Sequence, residues 1–153
     1  MRSAYRVIAG LISLGVVVQA ASIAYAMFAI AHEVDNGTVI DKNYVEHSTG
    51  AEGLGFAIHA IDGQLVIPLL ALVLLVVSFF AKVAGGVKWA AFTFLAVVVQ
   101  VVLAFVSFGA PVAGFLHGLN ALTVFSLGVF AARKAAAPAT EPVVAATTAP
   151  ATV

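Results

Sequence analysis

The sequence predicts an all-α polytopic membrane protein, a four-helix up-down-up-down transmembrane bundle built from two duplicated helical hairpins. Three observations carry that expectation. The chain is 63% hydrophobic and 9% charged, far outside the soluble globular range. It holds four apolar segments, each at or above the roughly 20 residues with which a helix crosses the hydrocarbon. Short polar patterns in the first two segments also recur, in order, in the last two.

The first span is expected at about 7–31. A basic start, "MRSAYR", an apolar run and "AYA" at 24–26 also resemble a signal peptide with its cleavage site. The apolar run is too long for a signal h-region of about 7–15 residues, and the span belongs to the repeat, so it is expected to stay in the mature protein. A polar loop, 33–52, carries Glu33, Asp35, Asp41, Glu46 and Glu52. The second span follows at about 54–81, with Pro68 midway as an expected kink that frees a carbonyl. "KVAGGVK" then leads to the third span at about 87–109, and "GAP" leads to the fourth at about 112–132. These make a transmembrane domain over 1–134, and the Ala/Pro/Thr-rich stretch 135–153 reads as a disordered cytoplasmic tail.

Arg2, Arg6, Lys82, Lys88, Arg133 and Lys134 all flank one side of the spans, and only Lys42 flanks the other. The basic side is cytoplasmic. The chain is therefore expected in the plasma membrane with both termini inside and the acidic loop outside. The lipid bilayer is its first partner, and a formal net charge of zero proposes no nucleic acid. With no cysteine, disulfides, thiolate metal sites, iron–sulfur clusters, cysteine nucleophiles and covalent c-type haem attachment are excluded.

The repeat matches "LGVVVQA", containing Gln19, with "LAVVVQV", containing Gln100, and "GFAIHAID" with "GFLHGLN". It places two histidines in equivalent positions. His59 and His117 each lie about five residues into a span entered from the outer side, roughly 8 Å below its boundary at about 1.5 Å per residue. An ionisable residue at such a place usually faces the bundle interior and marks a functional site. Gly55 and Gly63 flank His59 at helical spacing, and Ala113 and Ala121 flank His117. Small side chains there leave volume for a flat macrocycle, or else permit close helix packing. Asp62 and Asn120, each three residues beyond its histidine, are candidates to hold a ring's second nitrogen or to meet a ligand. Gln19 and Gln100 read as interhelical hydrogen-bond formers. Gln64 is turned away from His59. His32 and His47 belong to the outer interface and loop.

Spans two and four are diagonal in such a bundle, with axes near 13 Å apart if neighbours are about 9 Å apart. One iron held by both imidazoles spans that gap, so the leading expectation is a b-type haem with His59 and His117 as axial ligands, serving electron transfer or haem handling. A single haem near the outer face cannot carry electrons across a core about 30 Å thick, so a quinone or redox membrane protein is the implied partner. A different class of reading makes the chain a non-catalytic membrane subunit or assembly factor whose histidines and glutamines lock the bundle. A third is a small transporter with a proton relay through Asp62 and the histidines.

Gln19 in "VVVQA", His59 on the second span and "LHGLNAL" at 116–122 resemble an uncharacterised family of small four-helix bacterial membrane proteins, a domain of unknown function. That resemblance covers most of the chain up to Arg133 and implies no activity. More loosely, the histidines on spans two and four are similar to those of one half of haem A synthase or of a b561-type cytochrome. Ala60 and Gly118 follow the histidines where haem A synthase would have arginine, and its cysteine pair is absent. Its catalytic chemistry is therefore not carried over.

Overall fold

In the computed structural model the described residues are 1–136. They form α1 (Arg2–Asp35), α2 (Lys42–His47), α3 (Ala51–Ile61), a π turn (Asp62–Val66), α4 (Ile67–Ser78), α5 (Gly86–Ser107) and α6 (Val112–Ala136). The chain is all-α over these residues. Four helical stretches are long and apolar enough to cross a membrane: α1, the continuous run Ala51–Ser78, α5 and α6. They fit an integral, multi-pass membrane protein. Large apolar side chains such as Phe28, Phe108 and Phe115 stand exposed on the outside of the bundle, where lipid is their natural solvent.

α1 and α6 extend beyond the expected spans. At 34 residues, α1 is about 50 Å long and exceeds a hydrocarbon core about 30 Å thick. Hydropathy locates the apolar window, whereas backbone hydrogen bonding continues through polar turns beyond it. The second span starts at Ala51 and ends at Ser78, because Phe79, Phe80 and Ala81 already turn the chain with shorter backbone bonds to Val76, Val77 and Ser78. Gly85, at φ +68°, caps α5 in the left-handed region that favours glycine. Ala135 and Ala136 belong to α6, and the rest of the expected tail lies outside the described residues.

Pro68 has no N–H for the carbonyl four residues back, Gln64. The span widens into the π turn just before it, where the Ile67 N–H reaches back to the Asp62 carbonyl. The expected kink is thus a local widening whose residues include Asp62 and Gly63.

α1 packs against α3, α4 and α6, and α5 packs against α4 and α6. Two close crossings set this ring. At Gly128 of α6 a side chain would meet Ser13 Oγ and, at 2.9 Å, the Ala9 carbonyl, and Ser13 Oγ donates to the Phe125 carbonyl at 2.9 Å. At Gly55 of α3 a side chain would lie 2.7 Å from the Ser22 carbonyl of α1. The apolar core of Tyr5, Ala9, Ile12, Ile67, Leu74, Ala90, Val97, Val124 and Ala131 fills the half of the bundle that holds the chain's N-terminus. At that end Tyr5 Oη donates to the Gly86 carbonyl at 2.9 Å and Arg2 Nε to the Ala135 carbonyl at 2.8 Å. The other half holds the histidines and glutamines of the second and fourth spans and their partners.

Candidate functional site

Each histidine of the second and fourth spans is held by the glutamine of the span before it. His59 Nδ1 lies 3.1 Å from the Gln19 main-chain carbonyl, and His117 Nδ1 lies 3.1 Å from the Gln100 main-chain carbonyl. A carbonyl oxygen only accepts, so both Nδ1 atoms carry the proton. In the neutral imidazole both Nε2 atoms are then lone-pair acceptors. The ring centres are 6.4 Å apart with planes inclined at 53°.

Asp62 and Asn120 act one step further out than the sequence suggests. Gln19 Nε2 donates to the His59 carbonyl at 2.8 Å and to Asp62 Oδ2 at 3.0 Å. In the second hairpin Asn120 Nδ2 donates to the Ala96 carbonyl at 2.8 Å and to Gln100 Oε1 at 2.7 Å. Neither residue holds an imidazole nitrogen, because the main-chain carbonyl already occupies that position. Each orients a glutamine instead. The interhelical role expected of Gln19 and Gln100 is observed, and their main-chain carbonyls as histidine partners are the part sequence reasoning missed. Their equal placement in "VVVQ" was the available signal.

Gln100 also touches the second ring, with its Nε2 3.1 Å from His117 Nε2. The direction of that bond follows from the Ala96 carbonyl, which fixes Asn120 Nδ2 as a donor. Asn120 therefore donates to Gln100 Oε1, and Gln100 Nε2 donates to the His117 lone pair. His59 Nε2 has no hydrogen-bond partner among the described residues.

A cavity of about 260 Å³ is lined by both imidazoles, both glutamines, Gly63, Gly118 and Ala121 with aliphatic neighbours. A Cβ at Gly63 would stand 2.9 Å from Gln19 Oε1, the end of that side chain. Beside Gly118 there is open space, with nothing within 4 Å of where a Cβ would be. The structure therefore brings His59, His117, Gly63 and Ala121 together around one space. Asp62 and Asn120 brace it from behind. Gly55 and Ala113, expected to line it, do not; Gly55 is consumed by the crossing with α1 and Ala113 is buried. Gln64 faces a separate groove with Pro68, Leu72, Val98 and Val102.

The loop beyond the cavity is knitted by its own polar groups. Asp41 caps α2 through the Tyr44 N–H, and the buried Glu52 accepts from the Ser48 and Tyr44 hydroxyls. Burial, followed by the neighbouring Glu52, raises the Tyr44 phenol above its ordinary value. His32 pairs with Asn36 and His47 with the Asn43 carbonyl. Comparison with family models, with curated proteins and with solved structures gives no match, and the four apolar helices agree with an uncharacterised membrane family in architecture alone.

Proposed function

We propose that the chain is a bis-histidine b-type haem protein of the plasma membrane, serving electron transfer or haem handling, with His59 and His117 as axial ligands. The observation that carries this reading is the tautomer. Both Nδ1–H groups are donated to main-chain carbonyls, the arrangement by which a metal-binding histidine is oriented and made more basic. His59 Nε2 then presents an open lone pair, and His117 Nε2 one that accepts from Gln100 Nε2 and would have to be released to bind a Lewis acid. A quinone oxygen would offer them no positive partner. The spacing supports the same reading. The two ring centres lie 6.4 Å apart, close enough that His59 and His117 could both reach one metal ion.

Bound haem would supply one-electron transfer. The protein's own part is to hold the rings through Gln19 and Gln100, to brace those glutamines with Asp62 and Asn120, and to leave room at Gly63 and Ala121. The cavity of about 260 Å³ is smaller than the roughly 300–1,000 Å³ of typical sites for drug-sized molecules. A macrocycle must therefore spread the helices or reach between them, and the open space beside Gly118 favours that side. Electrons would come from a quinone or a redox membrane protein, because one site in one half of the bundle does not span a core about 30 Å thick.

The reading includes the up-down-up-down course, the duplication and the cytoplasmic termini. The bonds at the N-terminal end, which join the start of α1 to the start of α5 and the end of α6, support the alternating course. The paired bonds of His59 with Gln19 and His117 with Gln100 support the duplication. The basic residues at the ends of the spans support the orientation.

One observation favours the structural alternative, a non-catalytic subunit or assembly factor: no buried side-chain nitrogen or oxygen among the described residues lacks a hydrogen bond. The bonds of Gln19 with His59 and Asp62, and of Gln100 with His117 and Asn120, are sufficient to lock helices together. Absorption spectroscopy of the purified protein, expressed with ample haem, separates the two readings. A reduced-minus-oxidised low-spin haem spectrum supports the first, and colourless protein supports the second.

A further inference from the structure

Gln64 is the polar side chain that the bundle leaves unused. The amides of Gln19, Gln100 and Asn120 are all bonded between helices, whereas that of Gln64 has no hydrogen bond among the described residues. It stands exposed on the outside of the bundle, in the groove between α4 and α5 with Pro68, Leu72, Phe94, Val98 and Val102. It is also central in depth. The residue is midway along the run Ala51–Ser78, and Val98 beside it is close to the middle of α5, Gly86–Ser107. The membrane surfaces then lie about 15 Å away on either side, half of a core about 30 Å thick, too far for a short side chain to reach. Exposed leucine and valine need no partner in lipid, but an amide there finds neither donor nor acceptor.

We propose that the α4–α5 groove around Gln64 receives a second copy of this chain, with the two Gln64 amides bonded to each other across a two-fold axis. A glutamine amide carries donors and an acceptor on one group. Two identical amides related by a two-fold therefore satisfy each other, each Nε2 donating to the other's Oε1. Another membrane protein would have to bring its own amide or hydroxyl to this depth, whereas a second copy brings one by symmetry. A two-fold interface must also be complementary to itself. Leu65 and Leu69, 63% and 56% exposed, form a ridge beside the groove, so the ridge of one copy can lie against the groove of the other. The groove is separate from the histidine cavity, and the proposal is independent of what the histidines hold.

The test uses the full chain in lipid vesicles, with a dye on a single cysteine introduced as Val39→Cys in the loop, since the chain has no cysteine of its own. Energy transfer between donor-labelled and acceptor-labelled copies is followed as the protein is diluted into lipid. Chains with Gln64 intact should form a dimer that dissociates on dilution. Gln64→Leu leaves backbone and apolar span untouched. It should raise the dimer dissociation constant roughly eightfold, the weight of two interhelical hydrogen bonds in a membrane. A short thiol-to-thiol crosslinker on unlabelled chains then locates the contact. Leu65→Cys should crosslink between copies, and Val18→Cys, exposed on α1 near the same depth, should not. Three results overturn the proposal: no energy transfer at any dilution with Gln64 intact, a dimer that Gln64→Leu leaves unchanged, or crosslinking at Val18 as readily as at Leu65. The first would assign the amide to lipid alone or to a different membrane protein. Neither readout uses haem, so colourless protein overturns the haem reading and leaves this one standing.

Discussion

An imidazole that donates its Nδ1–H to a main-chain carbonyl has one nitrogen left, and the chemistry of His59 and His117 is the chemistry of that nitrogen. If both are ligands of one iron, replacing either His59 or His117 by alanine should abolish or convert the low-spin haem spectrum. The protein should still insert and fold, since the backbone bonds and apolar spans are untouched. If the histidines are structural contacts, the wild type is colourless and each substitution lowers stability in a detergent melt by about 0.6 kcal/mol. The double substitution sharpens the comparison: once the first has emptied a shared site the second adds little, whereas independent contacts add. The candidate histidines were legible in the sequence because an ionisable residue inside an apolar span is rare and their positions repeat. Their hydrogen-bond partners were not, because a main-chain carbonyl is present at every residue and only packing selects which one is reached.

Helix crossings at Gly55 and Gly128 position the α1 face that carries Gln19. Valine at either site would press on backbone, the Ser22 carbonyl in one case and the Ala9 carbonyl in the other, which cannot move as a side-chain end can. Gly55→Val and Gly128→Val should each destabilise the protein by about 1–3 kcal/mol, the usual cost of overpacking, measured as a shift in thermal unfolding in detergent. Little or no shift at both would mean that the helices do not meet there. The element scale also shows where spacing arguments stop. Helical periodicity groups Gly55 with Gly63, and Ala113 with Ala121, yet only Gly63 and Ala121 reach the cavity. The periodicity gives a face, and the crossing point along that face decides which small residue is spent on contact and which on open volume. The π turn before Pro68 was hidden for a related reason, since the proline marks a missing donor without saying how the neighbouring backbone accommodates it.

Over the whole molecule the division of labour follows the polar residues: an apolar core in one half and the histidine–glutamine network with its cavity in the other. The four spans were legible from hydropathy alone, because in lipid a helix satisfies its backbone within itself. Their ends were not, because helices continue into water. The proposed sidedness rests on the basic residues, and reporter fusions test it: fusions after Met1 and after Arg133 should report the cytoplasm, and one within 36–50 the outside. A fusion after Arg133 active only outside, or a mature N-terminus beginning after Ala26, would contradict the four-span account. The central proposal is that the His59 and His117 imidazoles, 6.4 Å apart at their ring centres, together hold one haem iron. The visible spectrum of the full chain, purified in detergent from cells with ample haem, tests it most directly. The account predicts a stoichiometric low-spin haem spectrum that disappears in His59→Ala, and colourless wild-type protein would contradict it.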